Sequence, residues 1–261
     1  MQQLTHWQRW VMAIVGLPSV VVFSTFIVSQ TQIGQLVSMD MSFQSTFWTA
    51  LQLSLASGLV WLVWRTPSTK RNWAIIGKSV IEGIVLCGMS LIVMWLLGFT
   101  DTTWQISIES IIAMVGLALP IAWWSMAEER VLRGELQTLL GNMPSLLRDL
   151  IMLSVGWCVQ MSLISVHSMF VAIVLLLTEG LSVITWSGHD GFERAWARRW
   201  VWRWLFVVVF GVSSTGFVTA TPSPLIVMVD DPFISLVLVT TPITLWLIFT
   251  IVHNHATKYA P

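Results

Sequence analysis

The sequence predicts an all-α polytopic membrane protein of about eight transmembrane helices, with both termini cytoplasmic. Three observations carry that expectation. The chain has 261 residues, is 56% hydrophobic and only 10% charged, whereas a soluble domain is about a quarter charged. Apolar runs of roughly 20 residues, enough to cross a bilayer core, recur along its whole length. The basic residues are confined to alternate connections between those runs.

The runs place spans at 10–29, 46–64, 77–98, 106–127, 149–166, 169–187, 200–219 and 233–252. The first, third, fifth and seventh connections (30–45, 99–105, 167–168 and 220–232) hold no Lys or Arg, but do hold Asp40, Asp101, Asp230 and Asp231. All 13 basic residues fall on the other side: Arg9; Arg65, Lys70, Arg71 and Lys78; Arg130, Arg133 and Arg148; Arg194, Arg198, Arg199 and Arg203; and Lys258. Lys and Arg are retained on the cytoplasmic face, which sets the orientation. Residues 1–261 are expected to form a single transmembrane domain, with an uncleaved first helix.

Composition narrows the function classes. Net charge is zero, so nothing points to nucleic acid; the partners expected are the lipid bilayer and a peptide or membrane protein. Cys87 and Cys158 lie inside apolar runs and are expected to be free thiols buried in helices. Seventeen Trp against one Tyr, with Trp7, Trp10, Trp64, Trp73, Trp104, Trp186, Trp200 and Trp202 near span ends, suggest an interfacial aromatic belt. The basic aromatic stretch Arg194–Trp204 is expected at the headgroup layer, where each cation is worth about 1 kcal/mol with anionic lipid.

The candidate chemistry lies in Glu128-Glu129-Arg130-Val131-Leu132-Arg133-Gly134, which closes the fourth span. Charges beside a hydrophobic span are costly, so the default reading is a working site. On a helix Glu129 and Arg133 are one turn apart and can pair. Glu128 points about 100° away, free to face a cavity, where desolvation would favour a general base. The competing reading is a solvated cytoplasmic helix end, and composition alone leaves both open.

These residues also resemble a family. Ala127 to Gly134, after Leu119-Pro120-Ile121, is similar to the EExxxR motif of the CPBP family, the CAAX-processing and bacteriocin-processing (Abi) membrane endopeptidases. The resemblance covers roughly residues 110–205, within a family-like core of 106–205, and eight spans with the motif in the fourth suit it. By resemblance Glu128, Glu129, Arg133 and His167 carry over as catalytic residues. The family's second motif is FxxxH; here Leu163 stands at the Phe position before His167. The third, HxxxN, would fall in Arg199-Trp-Val-Trp-Arg-Trp204, near Trp200 and Trp204, where there is neither His nor Asn. The resemblance implies a water activated by the first Glu and the histidines, with the Asn forming an oxyanion site.

Other polar residues compete. Glu179 is mid-span and is either a proton site or a hydrogen-bonding partner of a neighbouring Thr or Ser. Glu82 and Glu109 lie nearer span ends. His189-Asp190 could supply a ligand beside Glu128, while His253-Asn254-His255 suits a solvated tail. No cluster has zinc-site spacing, and a cofactor or divalent metal is left unspecified.

Three functions follow. The first is an intramembrane endopeptidase that cleaves a membrane-proximal peptide. The second is a non-catalytic member of that fold, acting as a scaffold, assembly or immunity subunit. The third, weaker reading is a transporter using Glu82, Glu109 and Glu179.

Overall fold

The computed structural model describes residues 6–16, 19, 54, 72–141, 143–164, 169–186, 191–210, 223–228 and 231–258. The expected spans at 10–29 and 46–64 lie almost wholly outside these residues. The described chain is mostly helical. A short helix α1 (His6–Val11) runs into a π-helical turn, Met12–Gly16. Then come α2 (Trp73–Leu96), β1 (Asp101–Trp104), α3 (Ile108–Glu129), α4 (Ser145–Ile164), α5 (Met169–Trp186), α6 (Gly191–Arg203), β2 (Leu225–Met228) and α7 (Pro232–Lys258).

Local chemistry sets several ends. Asn72 starts α2 by accepting from the backbone N–H groups of Ala74 and Ile75, which otherwise lack partners at a helix start. Its own N–H donates to Glu193 at 3.2 Å, tying α2 to α6. Beyond α2 the chain turns at Gly98, whose φ of 72° suits only glycine without strain. Ser107 and Ser110 cap the start of α3 reciprocally.

Among the described residues, two helices are long and apolar enough to cross a membrane, Trp73–Leu96 and Ile108–Leu139. The second corrects the expected end of the fourth span at residue 127. The helix does not stop after Glu128; it passes through a π-helical turn, Arg130–Glu135, and a final α-helical turn, Leu136–Leu139. Val131, Leu136, Leu139 and Leu140 are buried and hold this extension in the core. Glu128 therefore sits within a helix, not at its solvated end.

One short strand pair accompanies the helices of the expected all-α fold. β1 and β2 form an antiparallel pair, Asp101 opposite Met228 and Trp104 opposite Leu225. They come from the two connections at 99–105 and 220–232, both expected on one side because neither holds a cation.

The largest departure is at α6. The seventh span was expected to start at residue 200, with Arg194–Trp204 at the headgroup layer. Instead α6 begins at Gly191 and continues through a π-helical segment, Trp204–Val209. It packs against α2, α3 and α5. Trp196, Val201, Trp202, Arg198, Arg199 and Arg203 are all buried.

Its tryptophans bind neighbouring helices. Trp196, Trp200 and Trp204 recur every four residues. Their indole N–H groups donate to the carbonyls of Ala122, Ala118 and Met114 on α3, at 2.8, 3.0 and 2.9 Å. The partners descend by four as the donors ascend by four, so the helices run antiparallel. Small Ala118 and Ala122 leave room for the rings. Trp202, on another face, donates to Val239 of α7 at 3.1 Å. A ring with an apolar body and one donor suits such a seam.

The ladder is separable. Trp200→Phe removes one donor and leaves the Ala118 carbonyl in its own helix, so about 1 kcal/mol should be lost. For a chain of this size that is a fall of roughly 2–4 °C in Tm, measured by thermal unfolding in detergent. An unchanged Tm would show that the ladder contributes no stability.

Candidate functional site

The site is built where α3, α5 and α6 meet. α3 supplies Glu128, Glu129 and, from its π-helical turn, Arg133. α5 supplies Glu179 and Ser182. α6 supplies Arg199 and Arg203. All three glutamates and Arg133 are at 0% exposure, and both α6 arginines are buried.

Three carboxylates thus face three guanidiniums, and the pairs interlock. Arg133 contacts Glu129 at 3.0 Å, one turn away on its own helix, and also Glu179 on α5. Arg199 contacts Glu128, Glu129 through Nε at 2.8 Å, and Glu179 through Nη1 at 2.9 Å. Arg203 contacts Glu128 at 2.8 Å. Its guanidinium lies 4.1 Å from the centre of the Trp124 ring, a favourable cation–π distance. Ser182 accepts from Arg199 at 2.8 Å and donates to Glu129 at 2.9 Å.

Buried charges survive only when matched, because desolvating each ion costs several kcal/mol. Here the six formal charges sum to zero. The π-helical turns coincide with the charged residues: Arg133 lies inside one, and Arg203 immediately precedes the other. Such segments alter the angle at which a side chain leaves the helix and recur at specialised sites. Gly156 on α4 leaves the space that Glu179 fills, because a Cβ there would collide with the Glu179 carboxylate.

The predicted residues fare differently. The Glu129–Arg133 pair forms as the helical spacing predicts. Glu128 is not free to face a cavity; Arg199 and Arg203 hold it. Glu179 pairs with Arg133 and Arg199. His167, His189 and Asp190 lie outside the described residues. His255 is exposed on α7, Glu109 is exposed in the first turn of α3, and half-buried Glu82 makes no ion pair with the cluster. No group of three or more His, Cys, Asp or Glu suited to a metal occurs among the described residues. Both cysteines are free thiols, Cys87 buried as expected, but Cys158 is exposed on the surface of α4 rather than buried.

Sequence reasoning missed Arg199 and Arg203. Their signal was present: two arginines spaced i, i+4 amid tryptophans, downstream of a mid-span glutamate that needed a cation.

The class the structure defines is a helical protein with a buried, neutral Glu–Arg cluster joining three helices. No family model, curated protein or solved structure matches the chain.

Two variants probe the cluster. Arg133→Ala strands Glu129 and Glu179 and should cost about 3–5 kcal/mol, read as loss of the folded, monodisperse protein in detergent. Gly156→Ala should displace Glu179 and lower Tm, while Gly88→Ala, where a Cβ meets nothing, should not. Equal behaviour of the two glycine variants would contradict the packing described.

Proposed function

We propose that the chain is a non-catalytic, multi-pass membrane protein with a CPBP-like core, in which the charge cluster is an internal brace and the protein acts as a scaffold or assembly subunit. The observation that carries this reading is the state of Glu128. Its Oε1 faces Arg199 and its Oε2 faces Arg203. A general base needs a lone pair available to water and a modest affinity for protons. In Glu128 each oxygen faces a guanidinium, so that lone pair is taken up by the ion pairs. In the resemblance, the segment expected to hold a His and an Asn holds Arg199 and Arg203, which are cations with no base character at neutral pH. The substitution turns a water-activating arrangement into a salt-bridged one.

The membrane setting rests on the two long apolar helices, the recurring apolar runs and the one-sided distribution of Lys and Arg. Eight spans with both termini cytoplasmic accommodate all three. The partners are then the bilayer and a membrane protein or peptide bound outside the cluster.

The endopeptidase remains the second reading, favoured by one observation: Glu128 and Glu129 are adjacent carboxylates in the protein interior. It requires release of Glu128 from both arginines when a peptide binds.

One experiment separates the two. The full chain and Glu128→Gln are reconstituted in proteoliposomes with membrane-anchored peptide libraries, and cleavage is read by mass spectrometry. The scaffold reading expects no cleavage above empty liposomes from either protein, with a lowered Tm in the variant. Cleavage by the wild type that Glu128→Gln abolishes would overturn it and establish the protease.

A further inference from the structure

Beside the neutral cluster lies a further buried cation that makes no ion pair among the described residues. Arg198 lies on α6, 1% exposed. Its Nη1 donates to Thr185 on α5 at 3.2 Å and to Thr250 on α7 at 2.5 Å. No carboxylate lies within ion-pair distance among the described residues; Glu82 on α2 acts on it only across a longer gap. Its Nε and Nη2 are buried and have no acceptor.

The indole N–H of Trp246 is in the same condition. Trp246 is 1% exposed, its ring centre is 5.7 Å from the Arg198 guanidinium, and its Nε1 is buried without an acceptor. Both residues line a cavity of about 10 Å³ between α5, α6 and α7, which Thr178, Ser182, Arg199 and Trp202 also border. That is room for one water or one monatomic ion.

Each unsatisfied group named here is a donor, and one carries a full positive charge. An uncompensated buried guanidinium is costly, and a buried donor without an acceptor adds to the cost. A water would supply acceptor lone pairs but no charge. A cation would be repelled. A phosphate or carboxylate ligand exceeds the space.

We propose that the seam between α5, α6 and α7 holds a small monovalent anion of halide size, bound by Arg198 and Trp246. The anion neutralises Arg198, accepts from its Nε and Nη2 and from the Trp246 indole, and fastens α7 to the other two helices. This site stands whether the neighbouring cluster is a brace or a protease centre.

The test uses the full chain purified in detergent and exchanged into sodium gluconate. Chloride replaces gluconate at constant ionic strength while thermal unfolding is followed, and ³⁵Cl NMR line broadening reports bound ion directly. The wild type should show a saturable rise in Tm of about 2–4 °C, with line broadening that bromide reverses. Arg198→Gln should lose both effects. If that variant does not fold, Trp246→Phe, which removes only the indole donor, should raise the chloride concentration needed for half-effect several-fold. Equal Tm in chloride and gluconate for the wild type, with no line broadening, would overturn the site and leave water in the cavity. A chloride effect unchanged in Arg198→Gln or Trp246→Phe would overturn it as well.

Discussion

Charge matching among Glu128, Glu129, Glu179, Arg133, Arg199 and Arg203 is the constraint on which the rest of the structure depends. None of these groups tolerates burial by itself, and no single pair among them is isolated. Arg199 touches all three glutamates, so α6 must lie against α3 and α5 together. Arg133 spans α3 and α5 and fixes their separation independently. The cluster is not a source of large net stability, since apolar replacements of buried ion pairs often fold as well or better. Its effect is to make other arrangements of the three helices expensive.

The secondary structure serves that geometry. α6 can carry Arg198, Arg199 and Arg203 into the interior because its other faces bind by different means. Trp196, Trp200 and Trp204 hold α3, while Trp202 reaches α7. The indole ladder fixes how far α6 slides along α3, and the ion pairs fix how it rotates. Gly156 sets the closest approach of α4 to Glu179. At the other end, pairing of β1 with β2 ties the segment after α2 to the segment before α7.

Much of the helical content was legible because apolar run length and helix length obey the same physics. α5 ends within a residue of its expected span, and α2 within a turn. The Glu129–Arg133 pair was legible because both residues share one helix and i, i+4 spacing is local. What was hidden is non-local. Composition could not tell whether Arg199 meets water and lipid phosphate or a glutamate on another helix, since both satisfy a cation. The same ambiguity covers the tryptophans of α6: a belt and an interhelical ladder each want an apolar ring with one donor. The four-residue repeat of Trp196, Trp200 and Trp204 beside Arg199 and Arg203 was the discriminating pattern. How far the membrane span runs past residue 127 was left open for a related reason, because charged Glu128 and Glu129 resemble a helix end unless their partners are known.

The central claim is that Glu128 is held as a structural ion pair. A double-mutant cycle on Glu128→Gln and Arg203→Gln, followed by equilibrium unfolding of the purified chain, tests it most directly. Coupled partners should show each single variant strongly destabilised and the double variant less so than the sum, with an interaction energy of about 2 kcal/mol or more. Additive losses would mean that Glu128 does not depend on Arg203, which would contradict the ion pair on which the brace rests.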